Sequence, residues 1–234
     1  MSFINILSLL DIVRAYYIIK HMNKKEKAKF VLEQLRKRYP VIPTLLHARN
    51  PFERLIATIL SAQSTDDMVN RITPHLFARW KTPYDFLDAD VHEVESIIRA
   101  VGFYKNKAKH ILGTSRKLVE NFNGEVPQTL EELITLDGVA RKTANVVLSS
   151  SFGKNEGIAV DTHVLRITRK IGLTKHTTPD KVEQDLMKLF PRKDWGDLNK
   201  MCVWFGREVC NAKKPQCAHC EMGSICDSFG HNIS

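Results

Sequence analysis

The sequence predicts an all-α fold of about ten packed helices, divided between two helical domains. Three observations carry this. Apolar residues recur at helical spacing from Lys24 onward. The periodic segments open at Asn, Thr or Asp caps and close at glycines. No hairpin or alternating strand pattern interrupts them. Composition agrees: of 234 residues, 43% are hydrophobic and 26% charged, and 11 Gly and 9 Pro are too few for a fibrous or linker-rich chain.

In chain order, Met1–Leu10 is apolar and uncharged, but Asp11 and Arg14 interrupt it. A spanning helix needs about 20 mostly apolar residues, so no membrane segment is expected. A basic start and a small-residue cleavage site are not clear, so residues 1–22 read as an extra helix rather than a targeting signal. Met22 is an alternative start. Lys24–Arg38 holds seven basic and two acidic residues around Phe30, Val31 and Leu35, a basic amphipathic helix stopped at Pro40. Asn50-Pro51 caps and opens the next, with Phe52, Leu55, Ile56, Ile59 and Leu60 on one face. Ser64, Thr65 and Asp66 punctuate before a helix over 67–78.

A helix over 92–100 ends at Gly102, and one over 104–121 ends near Gly124. Thr129 and Glu132 form a capping box for a short helix that Asp137-Gly138 breaks. Arg141–Phe152 follows, closed by Gly153. Asp161 or Thr162 opens a helix to Gly172, Thr178-Pro179 one to Phe190, and Trp195–Val209 leads into a cysteine loop. The domains expected are 44–155, and 23–43 joined to 156–234.

The net charge of +9 favours a polyanionic partner. Lys105, Lys107, Lys109, Arg116 and Lys117 give +5 with no acid between, as a backbone-binding face requires, although a solvated helix face reads the same. All five cysteines lie in the last 33 residues. Cys210, Cys217, Cys220 and Cys226 read C-x6-C-x2-C-x5-C, a spacing that suits one metal centre better than two disulfides. Spacing alone leaves zinc open. Cys202, in an apolar helix, reads as a small buried hydrophobe.

Leu136–Ala144 places a glycine turn between two helices. Such a turn exposes the second helix's unpaired N–H groups to a phosphate, with Arg141 and Lys142 adding charge. The segment Leu136-Asp-Gly-Val-Ala-Arg-Lys-Thr-Ala144 resembles the helix-hairpin-helix of the endonuclease III family of DNA glycosylases, commonly LPGVGRKTA. It departs at Asp137, which would bring a negative charge to the phosphate site, and at Ala140, which narrows the backbone options. Ile158–His163 resembles that family's segment bearing the catalytic aspartate. Leu60–Asp66 resembles its segment lining the lesion pocket, and the cysteine spacing is that of its [4Fe-4S] loop. The match runs from about residue 24 to 228.

The resemblance implies two domains with a DNA cleft between them, and a bifunctional DNA glycosylase and AP lyase acting on oxidised pyrimidines. Its partner would be double-stranded DNA containing damaged bases or abasic sites. Lys142 would be the nucleophile, its amine kept neutral by burial and by Arg141; a solvated phosphate contact is the simpler reading. Asp161 would activate the amine or stabilise the sugar cation, and would also suit a plain helix cap. His163 reads as packing or support. Gln63 would fill the gap left by a flipped nucleotide, and Phe103 would wedge into the stack or, equally, sit in the core. Gly138, Ala140, Arg141, Lys213 and Lys214 would meet phosphates. Cys210, Cys217, Cys220 and Cys226 would hold a [4Fe-4S] cluster. A monomer is expected, in a reducing interior, cytoplasmic or nucleoid-associated. A mismatch-specific relative often lacks the lysine, and the adenine-mismatch branch tends to carry a glutamate that 60–67 lacks. A catalytically inactive DNA-binding module would have no need of the Lys142 and Asp161 pair.

Overall fold

Caps written in the sequence set most helix starts. In the computed structural model, which describes residues 22–43 and 45–229, there are ten α-helices and no strand among the described residues. Of the 1–22 extension, all but Met22 lies outside them. The helices are α1 (Lys24–Arg38), α2 (Pro51–Ser61), α3 (Asp66–Arg79), α4 (Val91–Ile97), α5 (Tyr104–Phe122), α6 (Leu130–Leu133), α7 (Arg141–Phe152), α8 (Thr162–Ile171), α9 (Pro179–Leu189) and α10 (Trp195–Glu208). Asn23 and Glu26 cap α1 reciprocally: the Asn23 side chain accepts from Glu26 N at 3.1 Å, and the Glu26 carboxylate accepts from Asn23 N at 2.7 Å. Asn50, Thr65, Asp90 and Thr129 cap α2, α3, α4 and α6 one way only, each side chain accepting from a first-turn N–H; the capping box expected at Thr129 lacks its return bond to the Thr129 N–H.

Pro43–Ala159 forms one compact unit, carrying α2 to α7; the described residues on either side of it form the other. In the first unit α2 packs against α3, α5 and α7. Leu55, Ile56, Leu60, Leu76, Ile98, Ile111 and Leu148 are fully buried there. Each such side chain stabilises the fold by about 1.5–3 kcal/mol. A 3-10 turn at Tyr84–Phe86, which periodicity does not reveal, drops Phe86 between Trp80 and Phe52, with ring centroids at 5.2 and 5.9 Å. The helix expected over 92–100 ends earlier, at Ile97. A tight turn, with Val101 N–H donating to Ile98 O at 3.0 Å, then delivers Gly102 to the loop after α2.

In the second unit α1 packs on α9 and α10, and α8 on α10. Much of the basic charge of α1 is spent inside this unit. Arg36 pairs with Asp194, Lys27 with Asp227, and Arg38 with Glu208 and Glu221. Cys202 is fully buried in α10, as expected of a small hydrophobe. No helix among the described residues is long and apolar enough to cross a membrane.

Candidate functional site

The turn between α6 and α7 is built around Gly138. Its φ of +74° lies in the left-handed region, and a Cβ there would stand 2.7 Å from Nδ1 of His110. Both facts demand glycine. Ala140 differs: it sits at φ −84°, ψ 168°, extended backbone open to any residue. The narrowing expected of Ala140 therefore has no consequence for this turn. Ala140 offers no side-chain cap to α7.

Asp137 does not carry an unbalanced charge. Its Oδ1 accepts from Lys117 Nζ at 2.7 Å, and its carbonyl accepts from Thr114 Oγ1 at 2.7 Å. A Cβ on Gly113 would collide with its carboxylate. His110, Gly113, Thr114 and Lys117 thus form one face of α5, spaced i, i+3, i+4 and i+7, on which the turn is seated.

Lys142 is the second residue of α7. It is exposed, as is Arg141, and among the described residues no hydrogen bond or ion pair holds its ammonium. The burial expected for Lys142 is absent: the fold does not itself desolvate this amine. Asp161 caps α8, its Oδ1 accepting from His163 N at 2.9 Å and Val164 N at 2.8 Å. It is half-buried. Burial, then the charge of Asp161, push the Cys202 thiol well above its ordinary range. His163 faces Arg166, whose Nη2 lies 3.1 Å from its Nδ1. Arg166 also donates to the carbonyls of Gly206 and Cys210.

Gln63 and Phe103 share a feature that the sequence does not announce. Both occupy the left-handed region, at φ +52° and +58°, without being glycine. Such residues cost about 1–3 kcal/mol each and persist where surrounding contacts over-determine them. Phe103 is 64% exposed, which removes the core-aromatic reading. The basic run over 105–117 also divides. Lys105, Lys109 and Arg116 are exposed, but Lys107 is only 4% exposed and Lys117 is committed to Asp137 and the Thr135 carbonyl. The uniform cationic face expected there is therefore reduced to three of its five members. The cause is helical period: Lys107 lies on the same face as Ile111, Thr114 and Leu118, all buried. That register was readable in the sequence; the charge obscured it.

Cys210, Cys217, Cys220 and Cys226 line one cavity, walled otherwise by Lys170, Val209, Pro215, Gly223 and Phe229 among others. The loop is fixed by Gln216 N–H to Val209 O at 2.8 Å and Ser228 N–H to Lys170 O at 3.1 Å. Burial pushes the Cys220 thiol up to about 11, with the neighbouring Cys210 and Cys226 adding to the rise, and raises Cys226 as well. Among the described residues, no three His, Cys, Asp or Glu side chains are grouped to hold a single metal ion. Lys213 and Lys214 are exposed on the same loop, their N–H groups turned onto Asn211 Oδ1 at 3.0 and 3.4 Å.

Residues 56–192 match the model of the HhH-GPD superfamily base excision DNA repair proteins. The chain is 48% identical over 209 residues to endonuclease III of Synechocystis, covering 89% of this chain and 95% of that protein. Two solved structures superpose closely. A non-covalent endonuclease III–DNA complex matches with a TM-score of 0.84 at 41% identity, covering 88% of this chain and 96% of the other. A trapped endonuclease III–DNA covalent intermediate gives 0.87 at 40% identity, covering 91% and 100%.

Proposed function

The chain belongs to the HhH-GPD superfamily of base excision DNA repair proteins, and from that membership we propose that it removes oxidised pyrimidines from duplex DNA and cleaves the abasic strand. It is a bifunctional DNA glycosylase and AP lyase of the endonuclease III kind, acting on damaged double-stranded DNA. One observation carries the chemistry. Lys142 stands exposed on the first turn of α7, in a chain 40% identical to an enzyme trapped covalently on DNA.

Lys142 Nζ attacks C1′ of the flipped nucleotide as the glycosidic bond breaks and the base departs with a proton. The sugar ring opens to the imine. Loss of a C2′ proton then expels the 3′ phosphate, the β-elimination that cuts the strand. Because the fold leaves Lys142 in water, the desolvation that attack requires comes from the bound nucleotide. Asp161 serves as the carboxylate that accepts the amine's proton and balances the sugar cation. Its cap bonds fix its position against α8. Gln63 and Phe103 meet the opened stack. The α7 N-terminus, with Gly138, Ala140 and Arg141, and the exposed Lys213 and Lys214 hold phosphates.

Cys210, Cys217, Cys220 and Cys226 suit a [4Fe-4S] cluster. Their C-x6-C-x2-C-x5-C spacing, which resembles that of the endonuclease III cluster loop, favours the cluster over a zinc ion, which four thiolates would also suit. When bound, the cluster supplies a structural staple for the loop. An enzyme of this kind works beside the chromosome, in the cytoplasm or nucleoid.

Borohydride with an abasic duplex tests the assignment. A covalent adduct is expected, and Lys142→Ala is expected to retain DNA binding while losing strand cleavage. Cleavage that persists in Lys142→Ala displaces the nucleophile. Iron and sulfide at about four each per chain support the cluster, and stoichiometric zinc defeats it.

A further inference from the structure

The loop after α2 and the turn before α5 are tied together by a buried cation. Lys107 Nζ donates to Leu60 O at 2.8 Å and to Ser64 Oγ at 2.9 Å. Ser64 Oγ in turn accepts from Gly102 N at 3.2 Å. A Cβ on Gly102 would stand 3.1 Å from Gln63 O, so glycine lets the two loops close on each other. Gln63 and Phe103 flank this junction, each next in sequence to one of its members, and both are left-handed. Lys107 lies one helical turn beyond Phe103, with Phe103 O accepting from its N–H at 3.1 Å. An ammonium buried to this degree is costly, and its desolvation pulls the Lys107 pKa down. A methionine would fill the space without that penalty, so a cation here answers to something besides packing.

We propose that Lys107 and Ser64 are positioning residues that hold Gln63 and Phe103 in their strained conformations before DNA arrives, so that the gap filler and the wedge enter the stack without reorganisation. Lys107 closes the C-terminal carbonyl of α2 and the Ser64 hydroxyl into one knot. The knot fixes the Gln63 backbone on one side and, through Gly102, the Phe103 backbone on the other. This rests on Gln63 and Phe103 meeting DNA as read above.

Single-turnover excision of thymine glycol from a duplex, and borohydride trapping on a preformed abasic duplex, are measured for Lys107→Met and Ser64→Ala. Each is made in the native chain and in a Gln63→Ala/Phe103→Ala background. Lys107→Met is expected to slow excision by about tenfold or more. Trapping at the abasic site, where no base pair has to open, should change little. In the background lacking both side chains, the same substitution should cost less than about twofold, because its route of action is gone. Loss of equal size in that background makes the role merely structural and overturns the proposal. Ser64→Ala removes one partner of Gly102 and Lys107 without unburying the cation, and should show a smaller loss of the same pattern. If Lys107→Met does not fold and Ser64→Ala excises at the native rate, the proposal falls. A Gln63→Ala/Phe103→Ala protein with native excision overturns the reading of those two residues, a signature distinct from the others.

Discussion

Two parts of the Pro43–Ala159 unit meet the same task by opposite means. The α6–α7 turn, which presents Lys142, is relaxed. Its one left-handed residue is Gly138, Ala140 is extended, and Asp137 is neutralised by Lys117. The Gln63–Phe103 junction is strained at two non-glycine residues and held by a cation buried among carbonyl and hydroxyl oxygens. Asp161, in the other unit, is again relaxed, a cap with two short bonds. The residues assigned to bond making sit in conformations that their own sequence favours. Those assigned to displacing a base sit where only distant contacts can hold them. Left-handed strain thus falls on both residues proposed to intrude on DNA, and on neither residue proposed for the chemistry.

Asp161→Asn breaks this comparison most sharply. Asn caps a helix about as well as Asp, so the melting temperature should stay close to native. Loss of the carboxylate's proton transfer should nevertheless cut excision by about 10²–10⁴-fold in single-turnover assays. A large fall in melting temperature would instead return Asp161 to a structural role. Gly138→Ala comes next. Forcing a Cβ into a left-handed residue and against His110 should cost about 1–3 kcal/mol by denaturant melt. Its neighbour Ala140→Gly, at relaxed backbone, should stay within about 1 kcal/mol. Gln63→Gly is the smallest and the most diagnostic. Glycine tolerates φ +52°, so the variant should gain up to about 1 kcal/mol of stability while excision slows. A destabilised Gln63→Gly would show that the left-handed backbone carries no strain to release.

The relaxed region was legible in the sequence and the strained one was not, for a physical reason. Caps, glycine turns and cysteine spacing are local codes. Asn23 with Glu26, Asp161 before α8 and Gly153 after α7 act within a few residues, so α1 and α7 run over the expected bounds. The knot at Lys107 spans 47 residues to Leu60 and 43 to Ser64, and no local pattern encodes it. Charge also misled. Lys107 and Lys117 read as part of a DNA-facing run, and Asp137 as an intruder at the phosphate site. The fold buries Lys107 and pairs Lys117 with Asp137 at the surface.

One element joins the two contrasting regions. α5 has Phe103 at its N-cap, Lys107 in its first turn, and the seat of the hairpin on the face from His110 to Lys117. At 1.5 Å per residue, Phe103 and Gly113 stand about 15 Å apart along its axis, and its 19 residues span about 28 Å. The helix therefore works as a gauge block. It fixes the interval between the proposed wedge at Phe103 and the seat of the proposed backbone-binding hairpin at Gly113. A one-residue insertion in α5 would shift that interval by only about 1.5 Å but rotate one end against the other by about 100°. The two contacts would then be out of phase with each other, although each remained intact.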